Sequence, residues 1–254
     1  MIVAKDVVKR FGSPANGITA IENVSLDIAE GEFVSLLGPS GCGKSTFLRC
    51  LAGLEQPSSG TLLIDGKSVD GPPDRLGMAF QRDALLDWFD VLGNVLLPAD
   101  FRGERKSAFA PRALELLKMA GLAGFERTYP RGLSGGMRQR VALCRSLLLD
   151  PRLLLMDEPF GALDALTRDQ LNVDLHRLWT QRRMTVIFVT HSISEAIFLA
   201  TRVVVFCPRP GKVVEDIAIG LPRDRKLAVR ETEEFARYVR HVRNLFESMG
   251  LLHD

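Results

Sequence analysis

The feature that most constrains this 254-residue chain is a glycine-rich octet, Gly38-Pro39-Ser40-Gly41-Cys42-Gly43-Lys44-Ser45. An apolar run at 33–37 precedes it, and a segment with apolar residues at helical spacing, 45–53, follows it. A strand, a glycine-rich turn and a helix in this order form a phosphate cradle, because backbone N–H groups converge and the helix adds its positive dipole end. We therefore expect phosphate binding at 38–46, including Thr46, with Lys44 reaching the terminal phosphates and Ser45 ligating Mg²⁺.

Composition restricts the class of protein further. The 33 basic residues are interspersed with 31 acidic ones, which does not indicate a nucleic-acid partner. Four cysteines lie far apart without a C-x-x-C pair, and this favours a reduced cytosolic chain over a disulfide framework or zinc site. The apolar runs are far shorter than the ~20 residues of a membrane helix, so we expect any membrane role to come through a partner.

Short apolar runs alternate with helical patterns along most of the chain. The expected strands are 33–37, 61–64, 78–80, 153–156, 185–190 and 202–206, and the expected helices are 45–53, 111–120, 136–149, 165–182 and 193–200. This alternation predicts an α/β fold with a largely parallel sheet. Strands at 2–8, 20–28 and 61–64 with little helix between them indicate a small antiparallel layer.

We divide the chain into a catalytic core at about 1–82 and 150–220, a helical insert at about 83–149 and a C-terminal extension at about 221–254, within one domain. In the extension, residues 231–250 place seven apolar side chains on one helical face. Such a stripe is typical of a helix packed on the core, and a partner-binding role is the alternative.

A carboxylate pair, Asp157-Glu158, ends the apolar run 153–156. Charge at the end of a buried strand is unfavourable unless a metal ion or a proton transfer uses it. Asp157 is suited to hold Mg²⁺ and Glu158 to act as the general base toward water, whereas a solvated turn is the alternative.

A second glycine-rich, serine-bearing helix start occurs at Leu133-Ser134-Gly135-Gly136-Met137-Arg138-Gln139-Arg140. It is another anion site by the same physics. One nucleotide needs one cradle, so the second serves a different phosphate, is a helix cap, or acts on a neighbouring molecule's nucleotide.

These two motifs, in this order, resemble the ATP-binding-cassette (ABC) family, whose signature is LSGG(Q/M) followed by an R-Q-R-like stretch. The resemblance spans nearly the whole chain. It implies a P-loop NTPase (RecA-like) core with an antiparallel β layer and a helical subdomain insert, and ATP and Mg²⁺ as cofactors. It also implies a dimer in which Ser134, Gly135 and Gly136 of one copy contact the γ-phosphate held by the other.

Further positions match the family one by one. Gln81 resembles the glutamine that senses Mg²⁺ and the attacking water, and His191 resembles the switch histidine that contacts the γ-phosphate. Gly161-Ala162-Leu163-Asp164 resembles the loop that pairs across the dimer, with Asp164 as its anchor. Phe11 stands where the family has an adenine-stacking tyrosine, and a core position in the first hairpin is the equal alternative.

Four stretches, 73–75, 85–88, 209–211 and 221–225, resemble importer subunits of the nitrate, sulfonate and taurine group. The resemblance implies two transmembrane permease subunits, an indirectly acting solute-binding protein and a peripheral location on the cytoplasmic face of the inner membrane. Asp87 departs from this group, which has proline there.

Two other functions compete with the importer ATPase. A soluble cassette ATPase acting on nucleic acid or ribosomes would need coiled-coil arms, a second cassette or clustered basic residues, and the sequence has none of these. A small-molecule kinase would share the first glycine loop, but the Ser134 signature and the 161–164 loop would have no purpose in it.

Overall fold

The computed structural model describes residues 1–13, 16–161, 163–182 and 184–251. Its strands are β1 (Ile2–Phe11), β2 (Ile18–Ile28), β3 (Phe33–Leu37), β4 (Ser59–Ile64), β5 (Lys67–Ser68), β6 (Leu76–Ala79), β7 (Leu153–Asp157), β8 (Thr185–Thr190), β9 (Arg202–Phe206) and β10 (Val213–Ala218). Its α-helices are α1 (Lys44–Leu51), α2 (Val91–Phe101), α3 (Lys106–Met119), α4 (Gly135–Leu147), α5 (Ala165–Arg182), α6 (Ile193–Leu199) and α7 (Glu233–Ser248).

The strands form two sheets. The larger has the order β10-β9-β3-β8-β7-β6, and its pairs are parallel except where β10 joins β9. The smaller, β2-β1-β4-β5, is antiparallel throughout. The predicted α/β fold with an added antiparallel layer is therefore confirmed, and β10 is a strand that the apolar pattern did not predict.

Side chains alternate between two cores on the faces of the larger sheet. On β3 and β8, Phe33 and Phe188 face the core shared with α2 to α7. Their neighbours Val34 and Ile187 face the core shared with α1 and the smaller sheet. Every residue of β3, β7 and β8 is buried, which explains why these strands have continuous apolar sequences.

Helices α2, α3 and α4 pack against one another through Val95, Leu116, Leu117 and Val141, all buried. The sequence placed the start of α3 at Pro111, which was wrong, because the helix begins at Lys106 and contains Pro111. A proline breaks one backbone hydrogen bond but leaves the preceding turn free to stay helical when packing holds it. Helix α2, which contains Pro98, lies in the insert that the sequence predicted to be helical, but no bounds were predicted for this helix.

The C-terminal segment closes over α6. Arg225, 4% exposed, donates from Nη1 to the carbonyl oxygens of Ile197, Phe198 and Ala200 at 3.1, 2.8 and 2.9 Å. These contacts satisfy the end of α6, and burial lowers the pKa of Arg225 to about 10. Helix α7 then buries Phe235, Val242 and Phe246 against the same core, so the apolar stripe predicted for 231–250 packs as expected.

All four cysteines are free, and three of them are buried. Among the described residues, no helix has both the length and the apolar character needed to cross a bilayer.

Candidate functional site

The glycine octet connects β3, a central strand, to α1, as the sequence predicted. Lys44 is 3% exposed, and its Nζ donates to the carbonyl oxygens of Gly38 and Pro39 at 2.8 and 2.9 Å. Gly43 has φ +94°, and a Cβ there would lie 2.5 Å from both Ala20 O and Ile21 Cγ2. Only glycine fits at position 43. The loop therefore curls tightly, with the Lys44 ammonium bonded to its carbonyl oxygens at the helix start where an anion is favoured.

A cleft of about 420 Å³ opens beside this cradle. Its lining residues are Phe11, Ile18, Ala20, Ser40, Gly41, Gly43, Lys44, Ser45, Thr46, Gln81, Glu158 and Arg209. Phe11 is 40% exposed and lies at the cleft wall, with Lys9 Nζ 4.9 Å from its ring centroid. Its exposure is inconsistent with a core position, so the adenine-stacking hypothesis for Phe11 is favoured.

Arg209 was not predicted as a site residue. Its Nε donates to Gly41 O at 3.0 Å, and its guanidinium lines the cleft. The segment that carries it is fixed by the bond from Gly211 N to Ala20 O at 3.0 Å. Since no pattern connects residue 209 with residue 41, only the R-P-G stretch used for the family resemblance pointed to this region.

Ser45, in the first turn of α1, meets Asp157, the last residue of β7. Ser45 Oγ donates to Asp157 Oδ1 at 2.7 Å, and Asp157 is 8% exposed. Burial raises the pKa of the Asp157 carboxyl, while the hydrogen bond from Ser45 opposes that shift. A hydroxyl and a carboxylate oxygen at the mouth of a phosphate cradle are the oxygen ligands that Mg²⁺ prefers, so the donor set fits the predicted ion.

Gln81 and His191 both approach the carboxylate of Glu158. Gln81 Nε2 lies 3.5 Å from Glu158 Oε2, and His191 Nδ1 lies 3.3 Å from the same oxygen. Glu158 has φ +45°, and its N–H donates to Val189 O at 3.0 Å. A non-glycine residue in this backbone region is a feature that clusters at functional sites, and sequence patterns do not reveal it.

Three octet residues lie behind the cleft rather than on its wall. Gly38 and Pro39 supply carbonyls to Lys44, and Cys42 is 1% exposed with its Sγ 3.5 Å from Lys44 Nζ. Burial raises the pKa of the Cys42 thiol, and the Lys44 charge opposes the shift. Through their side chains these residues shape the loop, and any direct ligand role falls to their backbone.

The second glycine-rich segment stands apart from this cleft. Ser134 is the N-cap of α4, and its Oγ accepts from Met137 N at 3.3 Å. Ser134 and Gly135 are exposed, and neither is among the described residues that line the cleft. Asp164 likewise caps α5, where its Oδ1 accepts from Thr167 N at 3.0 Å and the bonds to Thr167 lower the pKa of its carboxyl. Ala162 of the same loop lies outside the described residues.

Helix α4 also holds the segment that carries Gln81. Gln139 Nε2 donates to Gln81 O at 3.0 Å, and Arg138 Nε forms an ion pair with Asp83 at 2.8 Å. Arg145 donates to the Ala84 and Asp83 carbonyl oxygens, each at 2.8 Å. The cleft and α4 are therefore connected by hydrogen bonds and an ion pair through residues 81–84.

Sequence similarity to known proteins extends over most of the chain. Residues 21–161 match the family described as ABC transporter. An uncharacterised ABC transporter ATP-binding protein of Methanocaldococcus jannaschii is 44% identical over 96% of this chain and 90% of its own length. An aliphatic sulfonates import ATP-binding protein of Bacillus cereus is 39% identical over 97% and 96%. A taurine import ATP-binding protein of Rhizobium johnstonii is 49% identical over 78% and 75%.

Solved structures agree with these sequence matches. A dimeric ATP-binding cassette in a post-hydrolysis state, bound to ADP and Pi, has a TM-score of 0.78 and 35% identity to this chain. The match covers 87% of this chain and 100% of the other.

Proposed function

Because this chain belongs to the ABC transporter ATP-binding family, we propose that it is the ATP-hydrolysing subunit of an importer for small anions such as sulfonates, taurine or nitrate. The observation that carries the hydrolytic part is the convergence of Gln81 and His191 on Glu158, beside the Lys44 cradle. For sulfonates and taurine, the solute class is supported by the names of two relatives, one matched over 97% of this chain and the other over 78%.

The residues divide the chemistry between them. Lys44 and the N–H groups of residues 38–46 would bind the triphosphate, and Phe11 would stack on the adenine. Ser45, Asp157 and Gln81 would hold Mg²⁺, which neutralises charge that develops on the phosphates. Glu158 would accept the proton of the attacking water, with Gln81 and His191 fixing the orientation of its carboxylate.

A second copy would complete each site. Ser134, Gly135 and Gly136 are exposed or half-buried at the start of α4, where backbone N–H groups and the helix dipole favour an anion. In this arrangement they reach the γ-phosphate held by the other subunit, and Asp164 anchors the loop that meets its counterpart. Dimeric relatives support this assembly.

The permease would dock beside residue 81. A groove of about 320 Å³ lies between β6 and α2, lined among others by Phe80, Leu97 and Phe101, with Phe101 80% exposed. Trp88, 71% exposed, follows Asp87 on the same loop. An apolar surface of this kind suits a short helix of a membrane partner. It would place the subunit peripherally on the cytoplasmic face of the inner membrane.

We assign the subdomains to the residue ranges expected from the sequence. Residues at about 83–149 would be the helical subdomain that carries the signature, 1–82 and 150–220 the catalytic core, and 221–254 the C-terminal extension. The bonds from Gln139 and Arg145 to residues 81–84 support transmission of motion between the subdomain and the cleft.

Purification of the tagged chain from a detergent extract tests the proposal. We expect two multi-span proteins in the complex, and proteoliposomes of it should take up taurine or an alkanesulfonate only with ATP and the solute-binding protein. Recovery of ribosomes or nucleic acid instead would support the alternative cassette ATPase. Transfer of labelled γ-phosphate to a small acceptor, rather than release of phosphate, would support a kinase.

A further inference from the structure

A buried carboxylate outside the nucleotide cleft, Glu195, lies at the start of α6 with the spacing of a capping box after Ser192. In that motif the serine accepts from the glutamate N–H, and the carboxylate returns to the serine N–H. The first half is present, since Glu195 N donates to Ser192 Oγ at 3.3 Å. The Ser192 N–H instead donates to Thr190 Oγ1 at 3.0 Å, so the carboxylate is used elsewhere.

Glu195 is bonded to the residue before the switch histidine. Its Oε2 accepts a hydrogen bond from Thr190 Oγ1 at 2.7 Å, and Glu195 as a whole is only 6% exposed. Thr190 and Ser192 flank His191, whose Nδ1 is 3.3 Å from Glu158 Oε2. The position of the Glu195 carboxylate therefore fixes both backbone neighbours of His191.

Arg168 connects this carboxylate to the loop at 161–164. Its Nε lies 3.6 Å from Glu195 Oε1, and its Nη2 donates to Leu163 O at 2.8 Å. Leu163 immediately precedes Asp164, which caps α5. One guanidinium thus touches the loop and the Glu195 network.

A cap alone does not explain this arrangement. A glutamine serves the same capping position, and a buried carboxylate is unfavourable unless a cation and hydrogen bonds compensate it. We propose that Arg168 and Glu195 are positioning residues that hold His191 against Glu158 and couple its orientation to the 161–164 loop. This inference rests on the proposed function for its catalytic meaning, since the second copy meets the chain at that loop.

Two variants separate the network from the cap. Glu195→Gln keeps the volume and an acceptor for Thr190 but removes the charge that faces Arg168, and Arg168→Met removes both contacts of the guanidinium. The matched control is Asp174→Asn, which removes a carboxylate on the same helix whose hydrogen-bond partner is Gln170, away from Arg168 and Glu195. Thermal melting of each variant identifies any general loss of folding.

With purified full-length chain, we expect Glu195→Gln and Arg168→Met each to lower kcat about tenfold, as expected when orientation is lost. ADP affinity should change by less than about twofold, because neither residue lines the cleft. The double variant should be no slower than the slower single, because both act in one network. A kcat loss that Asp174→Asn reproduces, or additive losses, would overturn the proposal.

A second measurement needs no turnover. In protein labelled with ¹⁵N-histidine, the His191 ring resonances, assigned with His191→Asn, should shift in Glu195→Gln and Arg168→Met and not in Asp174→Asn. Unchanged resonances in the first two would overturn the positioning role. Absence of ATP hydrolysis by the wild-type chain would count against the proposed function. The resonances would still test whether Glu195 positions His191.

Discussion

The two glycine-rich helix starts, at 38–45 and 134–136, have similar sequences and opposite surroundings. The first surrounds a buried lysine, Lys44, whose Nζ donates hydrogen bonds to the carbonyl oxygens of Gly38 and Pro39. The second is an exposed cap, where Ser134 bonds within α4 and a Cβ at Gly135 would lie 3.9 Å from its nearest neighbour, Arg138 Nη2. A glycine-rich helix start is therefore enclosed by its own chain in the first place and open to solvent in the second.

The largest effect that sharpens this comparison is that of Glu158→Gln. Its hydrolysis rate should fall about a thousandfold, because orientation of the water survives while proton acceptance is lost. Nucleotide binding should persist, so the two glycine segments should stay together around ATP. Size-exclusion chromatography in Mg-ATP should show a dimer, and a strictly monomeric variant would contradict the two-copy site.

The substitution Ser134→Arg changes only the exposed segment at 134–136. Turnover should fall about a hundredfold, since bulk and charge replace the donors offered to a phosphate. ADP affinity, measured by calorimetry, should be unchanged because Ser134 lies away from the cleft of its own chain.

Mixed dimers test whether the two segments act across the interface. A Ser134→Arg subunit paired with a Lys44→Ala subunit retains one site with both halves intact. Residual hydrolysis by the mixture, above that of either variant alone, is the expected result. Its absence would contradict independent sites completed in trans.

A pair of glycine substitutions, one in each glycine-rich segment, tests the same comparison with a smaller expected effect. Gly43→Ala should weaken ADP binding at least tenfold, because a side chain at positive φ costs about 1–2 kcal/mol and also clashes here with Ala20 and Ile21. Gly135→Ala has space for its methyl group and should leave ADP affinity within about twofold. Equal losses in both variants would show that the first loop is not preformed.

The smallest effect belongs to Arg209. Arg209→Gln should weaken ADP binding about threefold to tenfold, because a cation at the cleft wall and its bond to Gly41 O are both lost. Higher salt should reduce the difference between wild type and variant. Arg49→Gln, at an exposed position on α1, serves as the charge-matched control.

Local patterns predicted the parts of this molecule whose cause is local. The cradle at 38–45 and the buried strands β3, β7 and β8 were found because chain order, glycine content and apolar runs determine them. The structure places Phe11, Ser45, Gln81 and Glu158 around one cleft, as the family resemblance implied.

What the sequence did not predict depends on residues far apart in the chain. Arg209 reaches Gly41 over 168 positions, and the αL backbone of Glu158 is supported by Val189 on a neighbouring strand. No sequence pattern singled out Glu195, because the spacing of a capping box gives no sign that its carboxylate bonds to Thr190 instead of to the Ser192 N–H. Such contacts exist only once the sheet has been assembled.

The three carbonyl oxygens that Arg225 holds at the end of α6 bear on how the subunit is made. Helix α6 begins two residues after His191, yet its other end is bonded by a residue that lies more than two dozen positions further along the chain. A nascent chain therefore cannot complete the support of the helix that follows His191 until Arg225 has been synthesised and has folded back onto it.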